Sequence, residues 1–484
     1  MIKSPKGFFS SLPEVGFFLI ILFVHSQRLF GDFWSDEIYS LNEFILVPIS
    51  KTLTDYHVPN NHVFANLIAN IYLKIIQIDS LGDLLYRPYL IRVVPFVFAL
   101  GTYFYLYKIG RKFFSRSVAL LSVGLLVFNL SYINFALQIR GYGLSAMLLI
   151  AIVYCIFEGF ESKKSYVRLA LLTSLLFYTT PSNLLFLLGI GLYLTCRFLI
   201  ARKNKKQASI YPLLTFCVGI FFGLIFYAAI IEDVFFNKYT QRGESFRLPI
   251  LIYYSYAIVK SLLWSKWVLV PFALVGAYFI KKNKSKETAQ IILLIIICLV
   301  AAMIPFLLGI RAPIRVCSVL LPVTSLLLAI TLDAFWTYVI KINTAYLVLG
   351  VLIYSMINLV YWNHYSRERI ADENSKNLRS QDIYYQYYSY HYQPLREIVG
   401  FTKLYDCQIS VIVYGCEPYG VTYYLDAENI PYSVLQHQEL LCSPETKQPF
   451  YLITAGDKKI DGFRQRKINK DRSYHSIYLI EQIK

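Results

Sequence analysis

Gly31-Asp32-Phe33-Trp34-Ser35-Asp36-Glu37-Ile38-Tyr39 places two adjacent acids directly beyond the first long apolar run of the chain, residues 13–31. A run of that length is enough to cross a bilayer, which takes about 20 apolar residues. Further runs follow at roughly 85–107, 117–137, 142–160, 166–180, 182–200, 210–231, 261–280, 288–309, 315–334 and 343–362, so about eleven transmembrane helices are predicted. The composition agrees, with 56% hydrophobic and only 16% charged residues, where soluble proteins carry about 25% charged. The fold class is an α-helical polytopic membrane protein. The acid pair opens an unusually polar loop, 32–84, between the first two runs.

The formal charge of +17 does not point to nucleic acid. Of the 47 basic and 30 acidic residues, 15 of each lie from His364 onward, so the tail is neutral and the whole excess belongs to residues 1–363. There it collects in Lys3/Lys6, Lys108–Arg116, Lys163–Arg168, Arg197–Lys206 and Lys281–Lys286, after every second run. Such loops are cytoplasmic by the positive-inside rule and meet anionic headgroups. The N-terminus is therefore expected in the cytoplasm of a cell with this protein in its inner (plasma) membrane. Loop 32–84, the turns near 138–141, 180 and 310–314, segment 232–260 and the tail are then expected outside. The first run has no small-residue cleavage site behind it and reads as a retained anchor.

From His364 the pattern changes. A Tyr-rich stretch (367–396) leads to Ile409–Tyr414, Tyr451–Thr454 and Ser476–Ile480, which read as strands, and to a short helix opened by Pro418. The expected domains are a membrane domain, 1–363, and a small extracytoplasmic α/β domain, 364–484. Cys407, Cys416 and Cys442 lie in that tail; no pairing among three is assigned.

All the polar residues of chemical interest fall on the outer side. Asp36 and Glu37 are adjacent, so regular structure cannot aim both at one target; one would act, and the other would orient it, bind a metal or hold the loop, against the plainer reading that the pair caps a surface helix. Arg92, Arg140, Arg311 and Arg315 lie at the outer rim, against the positive-inside tendency. A single arginine there is readily explained by snorkelling, but four converging suggest an anion site, for which the planar guanidinium is suited. His57, Asn60, Asn61 and His62 occupy the same loop and are expected to line the site. Two histidines five apart are weak evidence for a metal, and a divalent cation is left open. Segment 232–260 reads as a loop over the outer cavity, and Trp264 and Trp267 as interfacial anchors.

Trp34-Ser35-Asp36-Glu37 after the first span resembles the acidic motif of the GT-C superfamily of membrane glycosyltransferases. The similarity is greatest to the protein O-mannosyltransferase-like group that includes the aminoarabinose transferases. Asn60-Asn61-His62-Val63-Phe64 is similar to that group's NNHPL segment, with Val63-Phe64 where Pro-Leu is usual. Leu90-Ile91-Arg92-Val93-Val94-Pro95, Gln138-Ile139-Arg140-Gly141-Tyr142 and Ile314-Arg315 leading to Leu321-Pro322 resemble further elements, in order over about 1–335. The resemblance implies an inverting transferase using a polyprenyl-phosphate sugar, with Asp36 as base, Glu37 positioning it, and Arg92, Arg140, Tyr142, Arg311 and Arg315 on the substrate. The acceptor would be a hydroxyl of a lipid, glycan or protein. The alternative is a transporter or lipid-sugar flippase, which would show repeated halves and ionisable groups at mid-membrane; here the charges gather at one rim.

Overall fold

In a computed structural model of the chain the described residues are 6–204, 209–236, 256, 258–259, 262–263, 266–283, 288–307, 314–372, 410–414, 418–427, 429–435, 449–455, 463–468 and 475–482. Arg311, Trp264, the three tail cysteines, most of segment 232–260 and most of the Tyr-rich stretch lie outside them.

Each predicted run meets a helix: Lys6–Ser26, Tyr89–Phe113, Arg116–Val127 with Leu130–Ala136, Tyr142–Glu158, Lys163–Thr179, Leu184–Lys203, Tyr211–Phe226, Val270–Lys282, Thr288–Leu307, Leu321–Phe335 and Thr344–Asp372. Four spans are long and apolar enough to cross a bilayer, Tyr89–Phe113, Pro181–Lys203, Arg315–Ile340 and Thr344–Tyr361; two bent pairs bring the number to six among the described residues. Shorter apolar helices, among them Val15–Phe30, Tyr142–Glu158 and Thr288–Ile304, accompany these. Run 117–137 is broken by a 72° bend. The cause is Asn129, whose side chain accepts the Tyr132 N–H at 3.0 Å and so caps a new short helix. The predicted break at Thr179–Asn183 is present, with Pro181 opening a single 3₁₀ turn before the next helix.

Loop 32–84 is itself structured, through helices Ser35–Ser40, Ile49–Thr54, Val63–Ile75 and Leu81–Leu85 and a π-type turn at Leu41–Ile45. Trp34, in extended conformation, precedes the first of these, and Glu37 reaches back to its backbone N–H at 3.0 Å. This carboxylate-to-N-cap contact is one half of a capping box.

The tail folds as a five-stranded sheet of strands β1 (Ser410–Tyr414), β2 (Tyr432–Leu435), β3 (Phe450–Ala455), β4 (Phe463–Lys467) and β5 (His475–Gln482) in the order β2-β1-β3-β5-β4. β1 runs parallel to β2 and β3, while β5 is antiparallel to β3 and β4. Helix Pro418–Ala427 follows β1, as its proline at the first position predicts. Three strands, β1, β3 and β5, were legible; β2, Tyr-Ser-Val-Leu, and β4, Phe-Arg-Gln-Arg-Lys, were not, because both are edge strands and an edge strand can be short or lack an apolar face.

Two hydrophobic clusters organise most of the core. One fills the helix bundle. The other joins Phe33, Ile38, Leu41, Leu73 and Ile139, at the end of the bundle that carries loop 32–84, to Val413, Val421, Tyr424, Tyr451 and Ile477 of the tail. The tail is thus packed directly against the acidic stretch. At this seam the Phe33 N–H donates to the Tyr424 hydroxyl at 3.4 Å, and the Asn42 amide to the Tyr423 hydroxyl at 3.3 Å. Tyr424→Phe leaves the buried Phe33 N–H without that acceptor, and the midpoint of thermal unfolding in detergent should fall by the equivalent of about 1 kcal/mol.

Candidate active site

The two neighbouring acids face different arginines. Their positions on the first turn of helix Ser35–Ser40 differ by about 100° of rotation, so one side chain turns inward and the other stays at the rim. Glu37 is the inward one, at 1% exposure. Its Oε2 accepts the Trp34 N–H and Arg92 Nη2 at 3.0 and 2.9 Å, and its Oε1 accepts the Ile139 N–H at 2.9 Å. Arg92 is equally buried, donates also to the Asp32 carbonyl at 2.8 Å, and lies over the Phe33 ring. This pair is a tie beneath the site. It fixes the acidic stretch, the second span and the turn that carries Arg140 to one another.

Asp36 is the rim acid, with its side chain 25% exposed. Its Oδ2 pairs with Arg140 Nη1 and lies 3.5 Å from Arg315 Nη1. Both guanidinium groups lie over the Trp34 ring at 5.6 Å, so one indole orients two cations. Among the described residues Asp36 Oδ1 has no hydrogen-bond partner. The site therefore offers a partly exposed carboxylate beside two arginines.

Loop 55–62 supplies the next layer. The Asn60 Oδ1 accepts from Arg140 Nη2, and its amide donates to the Asp36 carbonyl at 3.3 Å and to the Ser40 hydroxyl at 3.2 Å. The Gly141 N–H donates to His62 Nδ1 at 2.9 Å, and Tyr142 meets the same ring edge-on at 5.1 Å. An added Cβ on Gly141 would lie 2.7 Å from His62 Nδ1, so glycine is what allows this approach. Because Nδ1 accepts, the proton of neutral His62 sits on Nε2, which is 3.3 Å from Arg140 Nη2. Two donors side by side can both be satisfied only by a third group that accepts.

Burial, with Arg140 and Arg315 nearby, holds the His62 pKa well below the usual imidazole range. Folded His62 stays neutral where the unfolded chain takes up a proton, so the unfolded state binds more protons below about pH 6.5. Stability is complete above that pH and is lost below it, by about 1.4 kcal/mol per unit until the folded pKa is reached. Thermal unfolding between pH 7.5 and 5 should show this slope, and His62→Gln should flatten it.

The remaining predicted residues are distributed otherwise. Asn61 is buried and donates to the Thr52 and Asp55 carbonyls at 3.0 and 2.7 Å, which makes it part of the loop's frame. His57 is exposed, with Nδ1 2.5 Å from Asp55 Oδ1 and Nε2 accepting from the Tyr39 hydroxyl at 2.7 Å. It is held by Asp55 and Tyr39, with no bond to Asp36. Among the described residues no three His, Cys, Asp or Glu side chains come together as a metal site. The carboxylate at the rim faces guanidinium groups, so this donor set does not fit a cation. Sequence reasoning missed Lys266, which is buried at 3% exposure and donates to the Ser325 hydroxyl at 3.1 Å. It lies in Trp264-Ser265-Lys266-Trp267, which reads as an interfacial anchor; a lysine between two tryptophans was the only signal.

The whole chain superposes on ArnT from Cupriavidus metallidurans, in the apo state and bound to undecaprenyl phosphate, with TM-score 0.53 in each case. Identity is 10%, and the match covers 97% of this chain and 98% of that one. The Archaeoglobus fulgidus oligosaccharyltransferase matches with TM-score 0.48 and 12% identity over 86% of this chain and 62% of that one. No protein-family model and no curated protein matches the sequence. At such identities the likeness is one of fold: the chain has the fold of that ArnT structure, with mostly helical architecture and a small sheet domain after it.

Proposed function

We propose that this multi-pass membrane protein with an ArnT-like fold transfers a sugar from a polyprenyl-phosphate donor to an acceptor hydroxyl, on the extracytoplasmic side, with inversion. The observation that carries the reading is Asp36: a partly exposed carboxylate whose Oδ2 meets both Arg140 and Arg315. Undecaprenyl phosphate in the similarly folded ArnT supports a lipid phosphate as the donor's carrier.

The geometry supplies the parts of a single displacement. Arg140, Arg315 and the His62 Nε2–H form a donor cluster suited to phosphate oxygens, where negative charge develops as the glycosidic bond breaks. Asp36 removes the proton of the acceptor hydroxyl as that oxygen attacks the anomeric carbon. The donor phosphate competes with Asp36 for the same guanidinium groups, so its arrival releases the carboxylate to act as a base. Glu37 and Arg92 position both partners without touching substrate. Tyr142 and Asn60 orient Arg140, and Arg311 joins the proposal from sequence alone. The tail, packed against the acidic stretch, braces the base from behind and leaves the rim open to a lipid, glycan or protein acceptor.

The test is reconstitution of the purified protein with an undecaprenyl-phosphate-linked labelled sugar and an extract of the cell envelope. A product dependent on donor and enzyme, with its anomeric configuration inverted by NMR, is expected. No product, together with envelope glycans unchanged by mass spectrometry on deletion of the gene, would overturn the reading.

A further inference from the structure

A second cavity lies far from Asp36. Gly141, at the rim, approaches Thr179, so the Thr179–Asn183 turn marks the same end of the bundle. Helix Leu184–Lys203 starts there and carries its far end about 30 Å away. About a third of the way along it, Gly189 allows close contact with helix Thr288–Leu307: an added Cβ would lie 2.8 Å from the Ile297 Cα. Beyond this crossing the two helices enclose a cleft of about 430 Å³ with the end of helix Tyr142–Glu158. That is far larger than the packing voids of a folded interior, and within the range of small-ligand sites.

The lining is amphiphilic in a definite order. Tyr193, Ile292 and Ile296 form its walls, while Arg197, Asn204 and Gln290 supply polar groups. Of the acids at that end, Glu158 is occupied by Lys112 at 2.6 Å and by Arg168, and Glu161 is exposed beyond it and does not line the cleft. Arg197 has neither an ion pair nor a hydrogen bond among the described residues. It has Lys163, Lys164, Arg202 and Lys203 on the same end of the bundle. A basic pocket between helices, with apolar walls and an unengaged guanidinium, matches a phosphate head on a hydrocarbon tail.

We propose that this cleft binds an anionic glycerophospholipid, with its phosphate on Arg197 and an acyl chain between Tyr193, Ile292 and Ile296. The proposal is independent of the transfer chemistry at the other end. Bound lipid closes the wedge that Gly189 opens and so joins the far ends of three helices.

Cys196 lines the cleft, whereas Cys217 is exposed elsewhere and Cys155 is buried. Full-length protein, delipidated in detergent, is alkylated with N-ethylmaleimide while phosphatidylglycerol or phosphatidylcholine is added, and each cysteine is read by peptide mass spectrometry. Phosphatidylglycerol should slow alkylation of Cys196 by about tenfold, in keeping with a charge-assisted phosphate contact. It should leave Cys217 unchanged, and phosphatidylcholine should protect far less. Arg197→Ala should remove the distinction between the lipids and Arg197→Lys should retain part of it, with Cys155 unreactive throughout as the measure of folding. Equal protection by both lipids, protection by neither, or a preference that survives Arg197→Ala overturns the proposal.

Discussion

Asp36→Asn is expected to lower the rate of sugar transfer by about 10²–10⁴-fold, the usual contribution of a positioned general base. Asparagine keeps the shape of the side chain and one acceptor oxygen for Arg140, so the variant should still elute as a folded protein. It cannot take a proton from the acceptor hydroxyl. Donor binding should be retained or strengthened, because the asparagine competes less well than a carboxylate for Arg140 and Arg315. The measurement is therefore kcat beside the affinity for undecaprenyl phosphate. A variant that transfers at nearly the wild-type rate would exclude Asp36 as the base, and one that loses donor binding and activity together would make it a structural partner of the arginines. Asp36→Glu, which keeps the base and displaces it by one methylene, should fall between wild type and Asp36→Asn.

Glu37→Ala has the largest expected effect on stability. Glu37 and Arg92 are both almost wholly buried and joined at 2.9 Å. Removing the acid leaves an uncompensated guanidinium in the core, at a cost of about 3–5 kcal/mol. It also leaves the Trp34 and Ile139 N–H groups without their acceptor. Glu37→Gln combined with Arg92→Met removes both charges and keeps an amide oxygen for one of those donors. The double variant should be more stable than Glu37→Ala, a coupling that denaturation of the single and double variants in detergent would measure. Its transfer rate should still fall by about 10²-fold, as one of the Trp34 and Ile139 N–H groups loses its acceptor and the tie between the acidic stretch and the turn that carries Arg140 is weakened. If the double variant is as unstable as Glu37→Ala, the charge pair is not what ties these segments together.

The membrane architecture was legible because its signal is local. A long apolar run reports its helix wherever it packs, and a proline or a strand-forming triplet reports its turn or strand. The limits were local too. Asn129 ends one helix and caps another inside what reads as one continuous run, and only its side-chain hydrogen bond reveals the bend. The candidate site was legible as a set of residue types on one side of the chain. Their division of labour was not. Arg92 and Arg140 carry the same charge at the same rim, yet one lies under the site with Glu37 and the other within it beside Asp36. Asn60 and Asn61 are neighbours, and only the first reaches Arg140.

The sequence by itself determined that the chain enters a membrane repeatedly, that its rim collects arginines around an acidic pair, and that a small sheet domain follows. Apolar run length and charge placement are properties of short segments, and they survive without knowledge of what each segment touches. Only the tertiary structure decided which carboxylate meets which arginine, and that the tail shares a hydrophobic cluster with the acidic stretch. Those outcomes depend on contacts between residues as far apart as Phe33 and Tyr424. Burial then separates the acids: Glu37 is enclosed with its partners, and Asp36 stays partly exposed beside two arginines.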